Sequence, residues 1–429
     1  MLVLISFLAA ACNTSEAENY PQKPVEELTP THSSPTSQPT HNISSPSDDK
    51  WALWSHGARL RGANIWQRVV VPELDGDEFL GSERVGPPYT QADFNALAAS
   101  GANYVNLSYP GLFTERPPYM VDEAVQANLD RLLDLAQAAS LFAVITFRTG
   151  PGRSDFTFYR DGAGDWFDQD LLIETLWSDP QAQTAWVEMW RYTADRYKDH
   201  PVVVGYDLLC EPNSNDVGLG IYEPSEFYPQ YASTSYDWNQ FYPRLVGAIR
   251  QVDPETPILV SAMDWGAVIW LPYLQPVDDP YIIYTAHQYA PHEYTHQEPG
   301  SEIEYPGQID LDWDGIADPF DRPWLETYLG IIAEYKARYG VPVAVNEYGL
   351  QRWAPGAAQF LSDELELFEQ LGINTAIWIW DPTWPPWSNQ EDAFNLSHGN
   401  DPENHAQVED SQLYQILIDY WSLNTIFPP

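Results

Sequence analysis

Two glutamates each close a short apolar, β-branched run. The first run is Val202-Val-Val-Gly-Tyr-Asp-Leu-Leu-Cys210-Glu211-Pro212-Asn213, and the second is Val341-Pro-Val-Ala-Val-Asn346-Glu347-Tyr348-Gly349. A Pro or Gly just behind each carboxylate stops the run as a strand. A glutamate at the end of a buried strand adds little to packing and is well placed to meet a ligand. Two carboxylates held about 5–5.5 Å apart can share the cleavage of a glycosidic bond, one as nucleophile and one as acid/base. Taken alone, either glutamate also reads as a strand-end residue paired with an arginine; two of them in separate motifs weaken that reading.

The elements that must position them alternate along the chain. Strand patterns fall at residues 59–66, 102–108, 141–147, 202–209, 256–262, 280–287, 341–347 and 373–380. Helical patterns lie near 90–100, 121–140, 170–198, 236–253, 322–340, 356–371 and 409–423. The clearest is 121–140, where Val125, Leu129, Leu132, Leu133 and Ala136 share one face at a 3.6-residue period. The spacer after the fifth strand is short and aromatic, so a helix there is the weakest expectation. Eight strands interleaved with helices predict an α/β chain folded as one (β/α)8 barrel over residues 51–429, with both glutamates at the strand ends that form the barrel's active rim.

Composition narrows the partners. The chain has 18 Trp and 26 Tyr, more aromatic surface than a core needs and suited to stacking on sugar rings. Its formal charge of −42 repels phosphate backbones and makes nucleic acid a poor partner, whereas a neutral polysaccharide or oligosaccharide is compatible. Cys12 and Cys210 lie in different parts of the chain, which excludes a disulfide framework. Residues 1–12 form an apolar run ending in small residues at Cys12, similar to a bacterial lipoprotein signal, with an ordinary cleaved secretory signal as the alternative. Residues 13–50, rich in Ser, Thr and Pro, predict a disordered tether. The expectation is an exported protein, extracellular or at the cell surface, that meets a membrane only through a lipid on Cys12.

Four ordered motifs give residues 51–429 a resemblance to glycoside hydrolase family 5, the cellulase-like retaining barrel glycosidases. They are Leu60-Arg-Gly-Ala-Asn-Ile-Trp66, Leu209-Cys-Glu211-Pro-Asn213, Ala286-His287-Gln-Tyr289 and Asn346-Glu347-Tyr-Gly349. The resemblance implies Glu347 as nucleophile and Glu211 as acid/base. It also implies a hydrogen bond from Tyr289 to the nucleophile, His287 in the same subsite, and an aromatic sugar floor on the eighth strand. For that floor Trp380 is preferred over Trp378, which lies one layer deeper; Trp384 and Trp387 can extend the cleft. Three positions depart from the family pattern. Cys210 stands where Asn is usual, Asn106 where a second-strand Arg is usual, and Arg148 where a third-strand His is common. Arg148 is therefore expected to replace the missing cation beside Glu347, with Asn106 and Cys210 altering the subsite. The activity implied is hydrolysis of β-linked glycans, glucan first and β-mannan second; a barrel that only binds carbohydrate is the rival from another class.

Asp310-Leu-Asp312-Trp-Asp314-Gly315-Ile316-Ala-Asp318-Pro-Phe-Asp321 forms a second constellation. Carboxylates at loop positions 1, 3, 5, 9 and 12, with Gly at 6, match a calcium loop, and the Ile316 carbonyl supplies a further oxygen. The expectation is one structural Ca²⁺ that braces the loop, with no cofactor in catalysis.

Overall fold

The computed structural model describes residues 49–312, 314–380 and 392–429. Cys12, nearly all of the expected tether, Trp384 and Trp387 lie outside the described residues.

Eight parallel strands close into a barrel. They are β1 (Arg61–Trp66), β2 (Tyr104–Tyr109), β3 (Phe142–Phe147), β4 (Val203–Asp207), β5 (Ile258–Ser261), β6 (Ile282–Gln288), β7 (Val343–Tyr348) and β8 (Asn374–Ile377). Each lies within two residues of an expected strand at its start. Every residue of all eight is buried, as strands walled by helices outside and side chains inside must be. The outer layer includes α1 (Gln91–Ala99), α2 (Glu123–Ala138), α3 (Pro180–Tyr197), α4 (Trp238–Arg250), α5 (Arg322–Tyr339), α6 (Ala357–Leu371) and α7 (Gln412–Trp421). The five apolar residues read on one face of α2 are all buried, and Asp122 caps that helix by accepting from Ala124 N and Val125 N.

Two expectations change. The helix expected from 170 starts at Pro180, because Asp179 accepts from Gln181 N and Pro180 occupies the first turn. After β5 there is no long helix. Asp264, Trp265 and Gly266 take positive φ values of 55°, 58° and 81°, and a 3-10 helix (Val268–Tyr273) follows. Gly266 is required there, since a Cβ would sit 2.9 Å from His287 Cγ. The aromatic spacer therefore folds as a tight turn seated on a site residue.

The barrel interior is layered. At the bottom Leu60, Tyr104, Phe142, Val144, Val204, Leu259, Ile283, Ala344 and Ala376 pack around Trp54. The Trp54 indole donates to the Val204 carbonyl at 3.0 Å and plugs this end. Above it the interior is polar. Asn106 donates to Asn64 Oδ1 at 2.6 Å, Thr146 donates to Asn106 Oδ1 at 2.7 Å, and Asn346 donates to Asp207 Oδ2 at 2.6 Å. These buried hydrogen bonds order the layer beneath the rim, although Asp207 Oδ1 and Asn346 Oδ1 are buried without a partner among the described residues.

Candidate active site

The third layer carries the glutamates. Strand β7 has a register shift between Val345 and Glu347 against β6. Strict alternation would send Asn346 and Glu347 to opposite sides; the bulge lets both enter the barrel, Asn346 into the polar layer and Glu347 above it. Glu211 lies four residues past the end of β4, not on its last residue as expected. The chain from β4 onward keeps strand-like bonds, Leu208 N to Leu259 O at 3.2 Å and Cys210 N to Phe147 O at 2.9 Å. At Glu211 it turns into the left-handed region with φ 56°, unusual for a residue other than glycine.

His287 joins the two carboxylates. Its Nδ1 lies 2.8 Å from Glu211 Oε1 and 3.4 Å from Glu347 Oε2. Those two oxygens are therefore at most about 6 Å apart, the sum of the two legs. Burial alone would lower the His287 pKa, but the charge of Glu347 and the hydrogen bond to Glu211 outweigh it and push the pKa up to about 9. Tyr289 donates to Glu347 Oε2 at 3.2 Å and the Cys210 thiol to Oε1 at 3.5 Å. Arg148 Nη1 stands 4.0 Å from the same Oε1. Burial raises the Glu347 pKa, and the nearby Glu211 adds to this; His287 and Arg148 oppose it. The side chain of Glu211 is 12% exposed against 4% for Glu347, so Glu211 faces the opening and Glu347 the floor.

The other expected site residues divide. Arg148 is beside Glu347 as expected, yet its shorter ion pair runs to Asp155 Oδ1 at 3.2 Å, and its guanidinium lies 3.7 Å from the centre of the Phe158 ring. Cys210 is enclosed between Arg148 and Glu347. Asn106 is a correction: fully buried in the polar layer with Asn64 and Thr146 as partners, it presents nothing to a ligand. The β2 residue that reaches Arg148 is Ser108, two positions later on the same face. The preference for Trp380 is a second correction. Strand β8 ends at Ile377, so alternation does not carry both Trp rings to one side. The Trp380 ring turns outward to Tyr414 and Trp421 of α7, at centroid distances of 6.4 and 6.5 Å. Trp378 instead lies 5.1 Å from the Arg148 guanidinium and belongs to the cluster on which Tyr289 packs, so it is the strand-8 Trp that lies beside the glutamates.

A family model described as cellulase (glycosyl hydrolase family 5) matches residues 70–383. The chain belongs to glycoside hydrolase family 5. Endoglucanase C of Acetivibrio thermocellus is 26% identical over 319 residues, covering 67% of this chain and 83% of that protein. An endoglucanase of Paenibacillus polymyxa is 29% identical over 300 residues, 66% of this chain and 62% of that one. Among solved structures, endoglucanase Cel5A of Thermotoga maritima superposes with a TM-score of 0.61 at 19% identity, covering 86% of this chain and 99% of that one. Complexes of that protein contain cellobiose and mannotriose.

Two further residues of this family 5 barrel are not evident from the sequence motifs. Arg153, 2% exposed, donates through Nη2 to the Glu211 carbonyl at 3.0 Å, holding the backbone that carries this glutamate. Burial lowers its pKa to about 10. Asp207 sits below the glutamates, where burial pushes its pKa up to about 7. The only sequence signal for Arg153 is a charge in a Gly/Pro loop; Asp207, inside an otherwise apolar strand, is legible as a polar exception.

The acidic segment folds as the connection of a small antiparallel ribbon, Gly307–Ile309 with Asp318–Phe320, between β6 and α5. Carboxylate oxygens of Asp310, Asp312 and Asp314 lie within 4.8 Å of one another. Asp310 accepts from Asp314 N and Gly315 N, and Asp314 from Ile316 N. Asp318 Oδ2 accepts from Leu311 N at 3.4 Å. Asp321 stands apart from this group and caps α5, accepting from Trp324 N at 3.1 Å.

Proposed function

We propose that this glycoside hydrolase is an exported, retaining β-glycosidase that cleaves β-linked polysaccharide or its oligosaccharides, with a β-glucan backbone preferred and β-mannan second. The observation that carries the reading is the placement of Glu211 and Glu347 on one imidazole nitrogen. It brings one oxygen of each, Glu211 Oε1 and Glu347 Oε2, within about 6 Å, which favours the close spacing of a retaining pair over the roughly 6.5–9.5 Å that an inverting enzyme needs to hold a water between its carboxyl groups. Endoglucanase relatives and the cellobiose and mannotriose complexes of Cel5A support the choice of sugar.

In this reading the sugar stacks on Trp378. Glu347, ionised beside His287 and Arg148, attacks the anomeric carbon while Glu211 gives its proton to the leaving oxygen. A covalent glycosyl-enzyme forms and the negative charge of Glu347 disappears. Glu211, now ionised, takes a proton from water, which attacks the same carbon and frees the sugar with its configuration retained. Tyr289 holds Glu347 in line, and Arg153 holds the backbone that presents Glu211.

The test is a screen of purified protein on β-glucans, mannans, xylans and aryl β-glycosides, with the first-formed anomer read by proton NMR. Glucan cleavage with the β-anomer first is the expected result. An α-anomer first would remove the retaining mechanism. Retention on an affinity gel without turnover of any substrate would favour the binding barrel.

We further propose that the Asp310–Asp318 loop holds one Ca²⁺ through Asp310, Asp312, Asp314, Asp318 and the Ile316 carbonyl, without the expected Asp321, which caps α5 instead; oxygen donors grouped this closely suit a hard cation. An ion that binds only the folded chain stabilises it by about 3 kcal/mol at a hundredfold excess over Kd. Millimolar Ca²⁺ is expected to raise the Tm of chelator-treated protein, and the double variant Asp312→Ala, Asp314→Ala to abolish the rise. Identical melting curves with and without chelator would leave a plain acidic loop.

A further inference from the structure

A thiol, an imidazole nitrogen and a carboxylate meet at the centre of the site. The ligand atoms of Cys210, His287 and Glu347 all lie within 4.8 Å of one another, and all three residues are buried. Cys210 Sγ is 3.5 Å from Glu347 Oε1, and His287 Nδ1 is 3.4 Å from Glu347 Oε2. A tetrahedral Zn²⁺ with bonds of about 2.3 Å to sulfur and about 2.0–2.1 Å to nitrogen and oxygen needs donor edges of about 3.5 Å (S to O) and about 3.4 Å (N to O). The two contacts seen here have lengths of that order, each to its own oxygen of Glu347, and the sulfur and nitrogen lie within 4.8 Å of each other. The carboxylate can therefore meet an ion through either oxygen or both.

We propose that Cys210, His287 and Glu347 form an inhibitory site for a thiophilic divalent cation of the zinc class, with a carboxylate oxygen of Glu211 as the neighbouring fourth donor. The donor set of one sulfur, one nitrogen and carboxylate oxygen selects Zn²⁺, Cd²⁺ or Co²⁺ over the hard Mg²⁺ and Ca²⁺. His287 binds through Nδ1, the atom that faces both glutamates. Its neutral tautomer then carries the proton on Nε2, which is buried without a partner among the described residues. On binding, the thiol proton and the Nδ1 proton leave for solvent, the metal–sulfur and metal–nitrogen bonds form, and the His287–Glu211 hydrogen bond is lost. Arg148, 3.9 Å from the sulfur and 4.0 Å from Glu347 Oε1, repels the ion and keeps the site weaker than a dedicated structural zinc centre. A bound ion takes the lone pairs of Glu347, so occupation and hydrolysis exclude each other. Occupation stands on the donor geometry; inhibition rests on the catalytic role proposed for Glu347.

The experiment titrates chelator-treated protein with Co²⁺ while recording the near-ultraviolet thiolate-to-cobalt absorption band. In parallel, hydrolysis of an aryl β-glycoside is measured against Zn²⁺, with Mg²⁺ as control. One equivalent of Co²⁺ should produce the band, Zn²⁺ should bleach it, and Zn²⁺ should inhibit reversibly with chelator while Mg²⁺ does not. Cys210→Ser should lose the band and raise the half-inhibiting Zn²⁺ concentration by about tenfold or more, since losing a ligand costs no less than losing an outer-sphere partner. Each variant is normalised to its own metal-free rate. No band in the unaltered protein, or equal Zn²⁺ inhibition of Cys210→Ser, would overturn the site. A band without inhibition would uphold the site and count against Glu347 as nucleophile.

Discussion

Glu347→Ala is expected to lower turnover of an aryl β-glycoside by roughly four orders of magnitude or more, the scale on which removal of a covalent nucleophile acts. Azide is expected to restore part of it as the α-glycosyl azide. The alanine leaves a space on the α face of the sugar, and a small anion entering there displaces the leaving group once, with inversion, while Glu211 still supplies its proton. Glu211→Ala should give the other anomer. With a good leaving group the glycosyl-enzyme still forms on Glu347, and azide then attacks it from the β face, so two inversions give the β-azide. Product NMR on the two variants separates the roles. The same anomer from both would sink the assignment of nucleophile and acid/base.

Much of this arrangement is legible in the sequence, and what is not has local causes. All eight strands and the helical face of α2 follow from periodicity, which survives wherever backbone geometry is regular. His287 follows from its motif on a regular strand, and Tyr289, one residue past the end of that strand at Gln288, keeps the direction the motif implies. The failures cluster where regularity stops. Trp378 and Trp380 exchange places because β8 ends at Ile377, and Glu211 lies past its strand in a left-handed turn. The bulge at Asn346 moves two consecutive side chains to the interior, which no alternation rule anticipates. Asn106 is taken for a rim residue from its motif alone, but its strand runs on to Tyr109, which leaves Asn106 one layer below Ser108. Arg153 shows in the sequence only as a charge in a Gly/Pro loop, because its partner is a backbone carbonyl brought to it by the closed barrel.

Arg148→Met tests the electrostatics around Glu347, the proposed nucleophile. Burial and Glu211 push the Glu347 proton on; His287 and Arg148 push it off. The acidic limb of the pH–rate profile marks the pH below which Glu347 takes up that proton. Removing one of its two cations raises its pKa, so activity is lost at a higher pH and the limb moves upward. A cation at this range shifts a carboxylate by roughly 1–3 units, and sharing Arg148 with Asp155 places the expected movement near the lower end, about one unit. Arg148→Lys keeps a charge in place and should leave the limb close to that of the unaltered protein, even where kcat falls through lost packing on Phe158. The rival account has Arg148 only neutralise Asp155 and order the loop behind β3. Under it, methionine leaves a buried carboxylate unpaired, at a cost of about 3–5 kcal/mol, and Tm falls while the limb stays put. Asp155→Asn separates the two accounts, because it removes the competing carboxylate and leaves Arg148 free for Glu347. A limb that moves up with Arg148→Met but not with Asp155→Asn assigns the arginine to the nucleophile; a limb unmoved by either substitution leaves His287 as the cation that matters.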